Sequence, residues 1–68
     1  MSIIEKISVI NELRAFLTVT ADNAQKLADR ANSAQLNVVA IGMHGMGHLC
    51  KQLAKLIDDV EKKVAESL

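Results

Sequence analysis

The ten residues Ile41–Cys50 read IGMHGMGHLC. They hold all three glycines, both histidines, two of the three methionines and the single cysteine of a 68-residue chain. Imidazole, thiolate and thioether groups are ligands for transition metals. His44 and His48 stand four residues apart, so on a helix they share one face and can bind one ion together. Two ligands fall short of the four that a structural zinc site uses. A dimer that brings two His44–His48 pairs to its axis would supply four. Met43, Met46 and Cys50 add soft sulfur donors of the kind that suit copper or haem iron. The same three residues also have the spacing of packing residues, and a buried thiol behaves as a small hydrophobe.

Other chemistries lack their parts. Gly45 follows His44, so the H-E-x-x-H pattern of a zinc hydrolase is absent, and the next acid along the chain is Asp58. The glycines fall in the order G-x-x-G-x-G with no Gly-Lys-Ser/Thr after them, which is not a phosphate loop. No serine has a His–acid pair near it in sequence to activate it. The expectation is therefore a chain without enzymatic activity and without a cofactor, a transition metal at His44 and His48 being the one exception.

Those residues sit inside a helical pattern. Ser2 followed by Glu5 forms a capping box ahead of an apolar repeat. Ile3, Ile7, Ile10, Leu13, Leu17, Ala21, Ala24, Ala28 and Ala31 then recur at about 3.6 residues per turn, and Phe16 and Leu27 widen the stripe. Further on, Met43, Met46, Cys50, Leu53, Ile57, Val60 and Val64 alternate steps of three and four, the seam of a helix that packs on another helix. Leu49 and Leu56 add a second apolar column, which suits a bundle better than a two-stranded rod. Asp22–Lys26, Asp58–Lys62 and Asp59–Lys63 are acid-first pairs for the outside.

Between the repeats, Asn32 and Ser33 can end the first helix through local backbone hydrogen bonds, and Asn37 can cap the second. The spacing predicts one domain over residues 1–68, with a helix over about 3–31, a link over 32–37 and a helix over 38–67. A short link makes the two helices antiparallel neighbours. The fold class is all-α, an antiparallel two-helix hairpin that dimerises into a four-helix bundle. The interface is expected from Ile3, Ile7, Ile10, Leu17, Met43, Met46, Cys50, Leu53, Ile57, Val60 and Val64. The alanines late in the first helix and the glycines early in the second lie opposite each other in such a hairpin. Close backbone approach there predicts that a leucine at Gly45 would clash with Ala24 and Ala28.

Composition limits the partners. The chain has eight basic and eight acidic side chains and one aromatic residue. No basic tract grips a phosphate backbone and no aromatic platform stacks bases, so nucleic acid is excluded as a partner. Residues 31–50 carry no acid, lysine or arginine, yet Asn32, Ser33, Gln35, Asn37, His44 and His48 interrupt them, so no membrane span is expected. One cysteine allows no disulfide within these residues. A small domain without disulfides needs another source of stability. The expected function is a helical protein–protein interaction or oligomerisation module, a small adaptor or regulatory subunit in the cytoplasm. Its partner would be itself or a helical protein. The alternative is the metal-binding helical dimer.

Overall fold

A computed structural model of the chain describes residues 2–67. It contains two helices, α1 over Ile3–Ser33 and α2 over Asn37–Glu66, folded antiparallel into a hairpin. The hairpin measures 51 × 15 × 13 Å. A compact domain of this length has a radius of gyration of about 11 Å, whereas the hairpin has 15.4 Å.

α1 begins where the capping pattern places it. The Ser2 side chain accepts a hydrogen bond from the Glu5 backbone N–H at 3.1 Å, with Ser2 itself extended. This satisfies one of the amide donors that a helix start leaves open. α1 ends two residues later than the spacing predicts, and by a different device. The Leu36 N–H donates to Ala31 O at 2.8 Å and the Gln35 N–H donates to Asn32 O at 3.0 Å. Together these form a Schellman turn, which needs its central residue in the left-handed region. That residue is Gln35, at φ 64°. Backbone atoms end the helix, and Asn32 contributes its carbonyl rather than its side chain.

The expected Asn37 cap is corrected. Leu36 is the residue ahead of α2, it makes no side-chain cap, and Asn37 is already helical. Leu36 closes the first helix and opens the second within a three-residue link. Its apolar side chain lines a groove with Ala31, Leu27, Val39 and Met43. That contact accompanies a Schellman turn, and it excludes a polar capping group at the same position.

The core is a single seam. α1 buries Ile10, Leu17, Ala24, Ala28 and Ala31, and α2 buries Ala40, Gly47 and Cys50. On α2 the inward line continues through half-buried Met43, Ala54, Ile57, Glu61 and Val64. This is the predicted three–four alternation, rotated about the helix axis. Met43, Cys50, Ile57 and Val64 are common to both lines. Gly47, Ala54 and Glu61 replace Met46, Leu53 and Val60, which are 44–48 % exposed. Gly47 wins its position because it faces Ala21 and Ala24 of α1, and Glu61 takes its own because its carboxylate meets Arg14. The chain gives up the larger side chains in exchange for close contact.

The segment around the glycines is helix throughout, as the continuous alternation suggested. The glycine at the close approach is Gly47 rather than Gly45. A Cβ at Gly47 would lie 3.6 Å from Ala21 O and 3.8 Å from Ala24 Cβ, whereas one at Gly42 or Gly45 would meet nothing within 4 Å. The predicted clash at Gly45 with Ala24 and Ala28 is therefore wrong. Gly45 is two positions from Gly47, roughly 200° around the helix, and points out of the seam.

Candidate functional site

His44 and His48 lie on the exposed surface of α2. His48 Nε2 is 3.2 Å from the Gln52 side-chain amide one turn further on. Among the described residues, no three His, Cys, Asp or Glu side chains come together as metal ligands. Met43 and Cys50 are in the seam, on the inward side of α2. Cys50 is 8 % exposed and reduced. The ligand set read from IGMHGMGHLC is thus divided by the helix, with the imidazoles on one side, Met43 and Cys50 in the seam, and Met46 44 % exposed.

The two broad faces of the hairpin differ. On one, Arg14 bridges the helices. Its guanidinium donates to Asp58 at 2.9 Å and to Glu61 at 2.7 Å. The hydrogen bond to Glu61 and then that to Asp58 hold the Arg14 pKa above its usual value. This explains a charged residue at a seam position, since Glu61 sits where its carboxylate meets a partner from α1. A groove of about 310 Å³ continues along the same side. Its floor is Leu17, Ala21, Cys50 and Ala54, and its rim is Thr18, Asp22, Gln25 and Lys51. The histidines lie on this side and along the outer edge of α2.

The opposite face carries most of the large exposed apolar side chains, with Lys6 at its open end and Thr20 between Phe16 and Leu27. α1 contributes Val9, Leu13, Phe16 and Leu27; α2 contributes Val39, Met46, Leu49, Leu53, Leu56 and Val60. Both sets follow helical spacing to one side of the seam. The grooves confirm which side. Val9, Leu13 and Val60 line one at the open end, and Leu27 and Val39 line one near the turn. These ten residues range from 40 % exposed at Val9 to 64 % at Phe16. Side chains of this size present ~150–250 Å² when free, so the face offers on the order of 900 Å². Ordinary monomers rarely show a patch above about 300–600 Å².

A compact monomer of this mass exposes about 4200 Å², whereas the hairpin, being elongated, exposes 5249 Å².

The sequence-predicted interface set divides between these surfaces. Ile10, Leu17 and Cys50 are buried between the two helices, with Met43, Ile57, Val64 and Ile3 half-buried. Met46, Leu53 and Val60 stand on the apolar face. Ile7 is 39 % exposed, and its helical position puts it toward the Arg14 side. Phe16, Leu27, Leu49 and Leu56 carry much of the face, and their sequence signal is the second apolar column beside each seam. Val9 and Val39 were missed, although Val9 stands four residues before Leu13 and Val39 four before Met43, the helical step that could have found them. No described helix is long and apolar enough to cross a membrane.

No protein-family model matches the chain, and neither a curated protein nor a solved structure matches it.

Proposed function

We propose that the chain is a non-enzymatic oligomerisation module whose apolar face packs against the same face of a second copy, making a four-helix bundle. The observation that carries this reading is the continuous face of ten large apolar side chains. Pairing two such faces removes about 1800 Å² from water, within the range of about 1200–2000 Å² that stable interfaces bury. A second copy fits because its surface is equally apolar and equally long. In this role the chain serves as an adaptor or regulatory subunit that acts by assembly.

This assembly argues against the four-histidine centre. His44 is more than ~140° around α2 from Leu53 and Met46 at about 100° per residue. In a bundle closed through the apolar face, the two histidine pairs lie on outer surfaces, away from the axis between the copies.

Sedimentation equilibrium of the purified chain tests the proposal. The parent is expected to be a dimer. Phe16→Asp should dissociate it, because the charge enters the middle of the apolar face. Ile41→Asp is the control. Ile41 is 72 % exposed but lies on the order of 100° around α2 from the line of Leu53 and Val60, so it should leave the dimer intact. A parent chain that stays monomeric at high micromolar concentration overturns the proposal, as does equal dissociation by both substitutions.

A further inference from the structure

We infer that Arg14 positions the open end of the apolar face. Its bonds to Asp58 and Glu61 hold α2 turned so that Leu53 and Val60 point outward, and without those bonds α2 turns to bury both. The rotation involves one chain alone; its effect on assembly rests on the dimer proposed above. Two lines of α2 compete to face α1. They share Met43, Cys50, Ile57 and Val64 and differ by half a residue step, a rotation of about 50°. The line through Gly47, Ala54 and Glu61 faces inward, although the line through Met46, Leu53 and Val60 is the more apolar.

The two ends of the hairpin hold this rotation by different means. Near the turn, Gly47 lies against Ala21 and Ala24. Glu61 is fourteen residues further along α2, about 21 Å away. Level with it on α1 stands Ile10, fourteen residues back from Ala24. No contact between small residues selects the inward line at that height. Charge does. Among the described residues, Arg14 and Glu61 are the only charged side chains that are not exposed. One guanidinium nitrogen of Arg14, Nη2, donates to Glu61 Oε2 at 2.7 Å and to Asp58 Oδ1 at 2.9 Å. It joins two carboxylates that repel each other in its absence, and it partners the one that is half-buried.

On the other side of the same seam there is room to turn. A groove of about 200 Å³ runs between Val9, Ile10 and Leu13 of α1 and Ile57, Val60 and Val64 of α2. Turning α2 by half a step carries Val60 from the edge of this groove into it, over Ile10 and Leu13. Leu53, one heptad earlier, turns inward with it. The same motion takes Glu61 out of the seam into water and carries Asp58 round toward solvent, away from Arg14. The clasp of two carboxylates on one guanidinium therefore belongs to the observed rotation alone. Burial of Leu53 and Val60 favours the other rotation, in which the apolar face loses both.

Methyl NMR with a soluble paramagnetic agent reads the rotation. A Phe16→Asp background keeps the chain monomeric, so no partner shields the face. With Arg14 in place, the methyls of Leu53 and Val60 should broaden more than that of Ala54. Arg14→Met should lower the broadening at Leu53 and Val60 and raise it at Ala54. Loss of stability alone raises all three, and an unturned helix leaves all three as they were; either result overturns the proposal. Adding Glu61→Leu to Arg14→Met should return the original pattern, because leucine makes the inward line apolar again. A double variant that keeps the turned pattern overturns the role of Glu61. Where Arg14→Met does not fold, Asp58→Asn with Glu61→Gln cuts the same two ion pairs and should give the same shift. Failure of both to fold shows the clasp holding the hairpin rather than its rotation, and overturns the proposal. Sedimentation of Arg14→Met with Phe16 in place reads the effect on assembly. The dimer should weaken about tenfold or more, the value of losing two half-exposed aliphatic side chains from the interface. A turned α2 in a dimer as tight as the parent overturns the link to assembly. A turned α2 with a parent chain that is monomeric overturns the dimer and leaves the rotation standing.

Discussion

Substitutions at Gly47 measure how closely the two helices approach. A methyl at this position would sit 3.6 Å from Ala21 O and 3.8 Å from Ala24 Cβ. Both distances are ordinary van der Waals contacts, so alanine fits without moving either helix. It also removes the helical penalty of glycine, about 1 kcal/mol. Gly47→Ala is therefore expected to stabilise the chain by up to about 1 kcal/mol. Leucine brings three further carbons toward a backbone carbonyl that cannot rotate away. Overpacking of this kind costs about 1–3 kcal/mol, against a propensity gain of under ~1 kcal/mol. Gly47→Leu should thus be destabilising relative to Gly47→Ala by roughly 1–3 kcal/mol. Gly45→Leu supplies the comparison. Its side chain meets open space within the hairpin, so it keeps the propensity gain and avoids the overpacking. Urea unfolding at one matched chain concentration would rank the four proteins. The expected order of midpoints is Gly47→Ala and Gly45→Leu above the parent, and Gly47→Leu below it. A Gly47→Leu protein as stable as Gly47→Ala would refute the seam described above.

Gln35 holds φ 64° without the freedom of glycine. Left-handed backbone costs a non-glycine residue about 1–2 kcal/mol, part of which glycine returns as unfolded-chain entropy. Gln35→Gly should raise stability by about 1 kcal/mol in thermal or urea unfolding, and Gln35→Val should lower it. Cys50 is buried among Leu17, Ala21 and Ala54. Its reaction with a thiol reagent should be slow in the folded chain and fast in urea; rapid labelling under native conditions would place it outside the seam. Together with the sedimentation comparison of Phe16→Asp with Ile41→Asp, these measurements probe the seam, the turn and the face separately.

Periodicity alone determined that the chain is two long helices, because an apolar residue every three or four positions leaves few other ways to hide aliphatic side chains. The Ser2–Glu5 start of α1 was equally legible, since capping depends on neighbours a few residues apart. Which line of α2 turns inward was not. Two lines share Met43, Cys50, Ile57 and Val64, and hydrophobicity favours the one through Met46, Leu53 and Val60. Packing chose the line through Gly47 and Ala54, because Ala21 and Ala24 approach Gly47 more closely than they could approach a large residue. That choice left Met46, Leu53 and Val60 outside, and with Phe16, Leu49 and Leu56 they became the apolar face. It also separated Met43 and Cys50 from His44 and His48, which local sequence had joined as one set of ligands. The end of α1 was hidden for a related reason. A Schellman turn is made by backbone hydrogen bonds and one left-handed residue, and Gln35 carries no side-chain signature of either. Local spacing could settle what each helix is, while the direction each side chain faces depended on the shape of the other helix.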